Sequence, residues 1–265
     1  MQIEAHAKIN WALRVTARRD DGFHDLETLF QEISLHDTLT IEPAERFSFT
    51  CDDPTIPTDE RNLVIRAARA LDSPPVAIHL QKRIPAGGGL GGGSSDAAAT
   101  LVALSKIFSL DAPLPELALR LGSDVPFFLV GGTAYATGRG EVLTPLPSPG
   151  SIPLLLLFPP ERVLTAKAFA MLRSFSPPLG IQRYRELIAD DFLSHADELI
   201  NDFEAPVFAA RPHLSALVSR LSNAGAAWAR MSGSGSTIVG AFRDVATRDT
   251  AMPAFADVRH VTASS

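Results

Sequence analysis

Between Lys82 and Ala99 the chain reads Lys-Arg-Ile-Pro-Ala-Gly-Gly-Gly-Leu-Gly-Gly-Gly-Ser-Ser-Asp-Ala-Ala-Ala, with six of its 18 glycines in seven positions. Val76–Leu80 alternates like a strand before it, and Ala97–Phe108 after it repeats Ala, Leu and Val at helical spacing. The segment is therefore a strand-to-helix connection. Glycine reaches positive φ and lets backbone come close to a ligand, and the N–H groups at a helix start, with the dipole behind them, favour an anion. Ser94-Ser95-Asp96 reads as the N-cap cluster of that helix. Each glycine costs up to ~1 kcal/mol relative to alanine on folding. Six of them exceed what a structural turn needs and point to bound phosphate.

Which phosphate ligand is partly decided by what is missing. Gly87, Gly89 and Gly92 formally satisfy G-x-G-x-x-G, but a dinucleotide fold also needs an acidic residue at the end of the next strand, and Asp111 lies in a proline-bounded loop. No Gly-Lys-Ser/Thr closes the segment, which excludes a P-loop.

The remaining chain alternates strands and helices. Ala5–Arg14, Leu29–Ile41, Phe47–Cys51, Gly131–Thr137 and Ile152–Phe158 read as strands; Arg61–Leu71, Glu116–Leu121, Thr165–Phe175, Tyr184–Ile188 and Leu214–Ala224 read as helices. Trp228–Phe242 reads as strand, tight Gly/Ser turn, strand. Pro145-Leu-Pro-Ser-Pro-Gly150 is the expected crossing between two lobes, 1–149 and 150–265. The net charge of −6, with no run of lysine or arginine, argues against nucleic acid as partner. One cysteine, Cys51, excludes an intrachain disulfide, and the seven histidines form no His-Glu-x-x-His spacing, so the sequence gives a zinc site no support. No secretory signal or membrane-spanning run is visible, so a soluble cytoplasmic protein with no membrane partner is expected.

With Pro85 leading it and Gly-Leu-Gly-Gly-Gly-Ser-Ser-Asp closing it, the glycine segment resembles the second motif of the GHMP kinases, the galactokinase, homoserine, mevalonate and phosphomevalonate kinase superfamily. Ala7-Lys-Ile-Asn10 resembles the family's first motif and Met231-Ser-Gly-Ser-Gly-Ser236 its third, in the right order across nearly the whole chain. Asp21-Gly-Phe-His-Asp-Leu26, Leu121-Gly-Ser-Asp-Val-Pro-Phe-Phe128, Gly138-Arg-Gly140 and Asn201-Asp-Phe-Glu204 are similar to one branch of it, whose acceptor is a cytidyl-diphospho polyol. Phe23 stands where that branch more often has Tyr, Trp11 where an aliphatic residue is usual, and the C-terminal lobe is short.

The resemblance implies an α/β (α+β) fold of two lobes, mixed sheets with helices, and an active site between the lobes. It implies ATP and Mg2+ as cofactors and ATP-dependent phosphorylation of the 2-hydroxyl of 4-diphosphocytidyl-2-C-methyl-D-erythritol, in the non-mevalonate route to isoprenoid precursors. A homoserine or mevalonate type of kinase, or a non-catalytic nucleotide-binding regulator, is the alternative. Pro85, Ala86, Gly87, Gly88, Gly89, Leu90, Gly91, Gly92, Gly93, Ser94 and Ser95 would cradle ATP phosphates, with Ser94 or Ser95 near the magnesium ion; no carboxylate stands out as its ligand. Asp124 would take the proton of the acceptor hydroxyl, and Lys8 would keep Asp124 charged and stabilise negative charge beside it. Read locally, Asp124 is equally a helix cap before Val-Pro, and Lys8 a solvated strand lysine. Asn10 would contact the diphosphate or polyol. Phe23 and His24 would stack on and read the cytosine, and Phe169 either closes the other side of the ring or belongs to a helix core.

Overall fold

The computed structural model describes residues 1–265, which form two compact units. The first comprises Met1–Lys8, Leu35–Ala86 and Gly91–Gly131; the second comprises Ile9–Ser34, Gly87–Leu90 and Gly132–Ser265. These units are assembled from alternating stretches of chain, whereas the proline-rich stretch suggested one division at 149/150. Strands β1 (Gln2–Arg18) and β2 (His24–Pro43) are the reason, being 17 and 20 residues long. At ~3.3 Å per residue each exceeds 50 Å. One such strand outruns a single small core, so its two ends join different ones.

In the first unit, β4 (Val76–Gln81) lies between the C-terminal half of β2, antiparallel to it, and β3 (Ser48–Cys51), parallel to it. Register sets Leu39 opposite Leu80 and Ile41 opposite Ile78, so the pleat turns one apolar row to one side. Helix α1 (Leu63–Ala70), capped by the Asn62 side chain accepting from Val64 N, and α2 (Gly92–Phe108) share a core with that row. The buried residues of α2 include Ala97, Ala98, Leu101, Ala103 and Leu104, small side chains alternating with large ones. Helices α3 (Leu114–Leu121) and α4 (Phe127–Val130) complete the unit.

Helix α2 begins at Gly92, earlier than the Ser94–Asp96 cap expected from sequence. Gly91 takes the N-cap position at φ 72°, and its carbonyl accepts the first helical hydrogen bond from Ser95 N at 2.9 Å. A left-handed residue suits glycine and ends the loop abruptly. The serines and Asp96 therefore sit inside the first turns of the helix and cap nothing.

In the second unit, the N-terminal half of β2 pairs with β5 (Thr133–Thr137), and β5 with β6 (Val142–Leu146), all antiparallel. Pro145 is inside β6, opposite Ala134, rather than in a linker. β6 ends the order β3-β4-β2-β5-β6, and an edge strand tolerates a residue without an N–H. A second sheet has the order β10-β7-β9-β8, with β7 (Pro153–Phe158), β8 (Trp228–Met231), β9 (Ile238–Ala241) and β10 (Arg259–Ser264) all antiparallel. Helices α5 (Thr165–Met171), α6 (Ile181–Ala189), α7 (Glu204–Ala210), α8 (Pro212–Asn223) and α9 (Val245–Ala251) accompany it. Leu155, Leu157, Phe203, Leu214, Leu221, Phe242 and Phe255 form its core. No helix is long and apolar enough to cross a membrane.

Candidate active site

In the first unit Lys8, on β1, is only 4% exposed, and its Nζ stands 3.6 Å from Asp124 Oδ2 in an ion pair too long for a direct hydrogen bond. Burial pushes the Lys8 ammonium below the ordinary lysine range, and the Asp124 carboxylate pulls the other way. Asp124 keeps 37% of its side chain exposed, so the pair faces solvent through its acid. The cap reading of Asp124 is not borne out: α4 starts after Pro126 and no side chain caps it.

The glycine-fed helix start comes close to this pair. A Cβ on Gly91 would lie 2.7 Å from the Phe128 ring and 3.2 Å from Lys8 Cγ, so only glycine lets the start of α2 settle there. No side chain caps α2, so the N–H groups of its first turn are free of side-chain acceptors, over a helix of 17 residues. Ser94 is half-buried and Ser95 buried in that turn.

Under the same turn lies a charge cluster that the sequence reading missed. Lys82 Nζ donates to Asp37 Oδ2 and, at 2.9 Å, to Asp96 Oδ2, and all three side chains are 5% exposed or less. Asp37 Oδ1 also accepts from Arg83 N and Ile84 N, at 2.5 and 2.8 Å, which fixes the backbone leaving β4. A Cβ on Gly92 would come 2.9 Å from Lys82 Nζ. Burial opposes the charge on Lys82, but the two carboxylates outweigh it and hold the ammonium above its ordinary range. Burial pushes the Asp96 carboxyl up to about 7, with Lys82 opposing and Asp37 adding to the rise. Asp96 is thus committed to Lys82, although its Oδ1 has no hydrogen-bond partner. Lys82 and Asp37 are 45 residues apart, a pairing that no local spacing announces.

In the second unit Gly87–Leu90 dock on the third motif. Ser232 Oγ donates to Gly89 O at 3.0 Å, and Thr237 N donates to Gly88 O at 3.2 Å. A Cβ on Gly89, at φ 82°, would be 2.2 Å from Ser232 O; one on Gly233, at φ 55°, would be 3.2 Å from Gly89 O. Asn201 Nδ2 donates to Met231 O and Gly233 O, at 2.7 and 2.8 Å, and Glu204 Oε1 accepts from Met231 N at 2.8 Å. These two side chains splint the turn, a role that the Asn-Asp-Phe-Glu match alone did not reveal. Asn10, 2% exposed, donates to Thr28 Oγ1 at 2.8 Å, and Thr28 in turn donates to Ala12 O.

The expected cytosine residues separate into two groups. His24 stacks on Phe169, with ring centroids 4.6 Å apart and an interplanar angle of 18°, and Phe175 stands 6.1 Å from the His24 ring. Phe169 in turn meets Phe203 edge-on, so it belongs to both the core and the aromatic cluster. Direct stacking thus sets the His24 ring on the face of Phe169 that was expected to meet the base. Phe23 is 52% exposed, with the Arg139 guanidinium 4.8 Å over its ring. Burial, followed by the nearby Arg18 charge, lowers the His24 pKa, which favours the neutral imidazole.

The GHMP kinases N terminal domain matches residues 62–132, and the GHMP kinases C terminal matches residues 177–257. The 4-diphosphocytidyl-2-C-methyl-D-erythritol kinase of Salinibacter ruber is 42% identical over 262 residues, covering 94% of this chain and 92% of that protein. A crystal structure of a 4-(cytidine 5'-diphospho)-2C-methyl-D-erythritol kinase superposes with a TM-score of 0.85 at 36% identity, covering 100% of this chain and 98% of the other. A homoserine kinase from Cytophaga hutchinsonii has a TM-score of 0.70 at 19% identity, covering 98% of this chain and 94% of the other, which is a likeness of fold. Similarity that extends through both units at this identity makes the protein a small-molecule kinase, and the chain belongs to the GHMP kinases and, within them, to the 4-diphosphocytidyl-2-C-methyl-D-erythritol kinase family.

Proposed function

We propose that this chain transfers the γ-phosphoryl group of ATP to the 2-hydroxyl of 4-diphosphocytidyl-2-C-methyl-D-erythritol, in the cytoplasm, as a step toward isoprenoid precursors. The observation that carries the chemistry is the buried Lys8 paired with a part-exposed Asp124, close to an uncapped helix start. Asp124 accepts the hydroxyl proton as the acceptor oxygen attacks phosphorus; the bond to the bridging oxygen breaks and ADP departs. Lys8 keeps positive charge beside the acid and offsets the negative charge that gathers on the transferring group. Such transfer depends mainly on positioning and charge, and these groups supply both.

Pro85–Ser95 is assigned to the ATP phosphates, which the first-turn N–H groups of α2 receive without competition from a side-chain cap. The donor set fits a magnesium ion held chiefly by those phosphates and by water, with the Ser94 or Ser95 hydroxyl as the protein group, because Asp96 is tied to Lys82. When bound, the ion neutralises phosphate charge. Asn10 is assigned to the diphosphate or polyol. His24 and Phe169 are assigned to the cytosine, with the base taking one face of the stacked pair or displacing His24 from Phe169; Phe23 is available from the surface.

The experiment is ADP release with Mg-ATP and, separately, the cytidyl substrate, homoserine and mevalonate. Turnover is expected with the cytidyl substrate alone. Asp124→Asn should lower kcat by about 10²–10⁴-fold, the range for a lost general base, with the melting temperature little changed. Turnover with another acceptor would reassign the substrate, and no turnover with any would favour the regulator reading. An Asp124→Asn enzyme with full kcat would remove the acid from the mechanism.

A further inference from the structure

Three side chains on the first two strands stand in a geometry that the proposed reaction does not use. Glu4 and His6 are two residues apart on β1, hence on one side of its pleat. Met1, just before β1, and Ile41 on β2 exchange backbone hydrogen bonds, and counting five residues inward from each reaches His6 and His36. Their ring centroids are 5.2 Å apart. Glu4 bridges them: Oε2 lies 3.3 Å from His6 Nε2, and Oε1 lies 3.5 Å from His36 Nε2. One ligand atom from each residue falls within 4.8 Å of the others.

The two nitrogen-to-oxygen separations, each to its own Glu4 oxygen, are close to the edge of a small tetrahedron. Zinc binds imidazole nitrogen and carboxylate oxygen at about 2.0–2.2 Å, and tetrahedral geometry then sets its ligands about 3.3–3.6 Å apart. Two imidazoles and one carboxylate are the borderline ligands that suit zinc and its late first-row neighbours rather than magnesium or calcium. Side-chain exposures of 33% for His6, 23% for His36 and 57% for Glu4 leave a fourth position open to water. Sequence spacing hid the arrangement, because the two histidines are 30 positions apart and only the strand pairing joins them.

We infer that Glu4, His6 and His36 form a binding site for one divalent transition-metal ion of the zinc class, clipping the start of β1 to β2. The test uses untagged full-length protein stripped with a chelator. Zn2+ titrated by calorimetry should bind with one ion per chain at this site and raise the melting temperature, and Co2+ in its place should give the visible absorption of a tetrahedral N/O site. His36→Asn and Glu4→Gln should each weaken Zn2+ binding at least tenfold and abolish the thermal shift, while their metal-free melting temperatures stay close to that of the parent. His195 also touches two carboxylates, Asp190 and Glu198, so His195→Asn is the control and should bind Zn2+ like the parent. Absence of saturable binding, parental affinity in both His36→Asn and Glu4→Gln, or loss of binding in His195→Asn instead would overturn the site.

Discussion

Burial pulls the Lys8 ammonium below its ordinary range, and Asp124 is the group that opposes this. Neither residue alone would justify its place: a lone buried ammonium is costly, and a lone part-exposed acid needs no lysine. The pair is legible from sequence only through the motifs that carry it, since 116 positions separate the two partners. His24 and Phe169 are a different case. Their ring stack was not expected, because sequence reading assigned His24 to the polar edge of the base and Phe169 to its far face, and no local spacing shows that the imidazole itself covers the Phe169 ring. Phe169→Leu tests this cluster. Losing one stacked aromatic is worth ~1–3 kcal/mol to a base, so the KM for the cytidyl substrate should rise about 5- to 150-fold with kcat nearly unchanged. An unchanged KM would place the base elsewhere.

At the scale of elements, the glycine loop shows how much a backbone position can demand. Gly89→Ala puts a methyl group 2.2 Å from Ser232 O at a positive φ, so the loop or the third-motif turn must shift. We expect the KM for ATP to rise tenfold or more and the melting temperature to fall. Gly150→Ala is the comparison: φ is 103° but nothing lies within 4 Å, so it bears only backbone strain and should leave the KM for ATP unchanged. Equal effects in the two variants would refute the steric account. Most elements were legible from periodicity, including β4, α1, α3 and the β8–β9 hairpin, because their apolar positions repeat over a full core-facing row. The start of α2 was not: Ser-Ser-Asp is a good cap by composition, but Gly91 in the left-handed region claims the position first. Pro145 misled for a related reason, since proline marks a loop except on an edge strand. The Lys82 cluster was invisible because its carboxylates come from β2 and α2, and each looks local until the chain is folded.

Across the whole molecule, buried acids give stability a pH dependence that the net charge does not suggest. Burial pushes the Glu204 carboxyl up to about 7, against the opposing effects of Met231 N and the Arg230 charge. Between its ordinary value of 4.5 and about 7, the folded protein holds a proton that the unfolded chain has released. The stabilisation is therefore full below about 4.5 and is lost as pH rises through about 7, amounting to about 3 kcal/mol at most. Asp96 acts in the same direction. Glu204→Gln keeps an acceptor for Met231 N and removes the titration, so the fall in urea midpoint between pH 5 and pH 8 should be smaller in the variant. An identical fall in both proteins would show that Glu204 does not titrate there.

The mutual approach of Gly89 and Gly233 also has a consequence for descent. Each glycine sits at positive φ where an added Cβ would press on the other motif's backbone, although the two stand 144 positions apart. A change at one cannot be rescued by a change at the other, since any second side chain adds bulk where space is already lacking. In a library randomised at both positions, functional survivors should carry glycine at both, with no viable pair of replacements between them. The two segments are thus bound into a single heritable unit, with room on each side set by the glycine on the other.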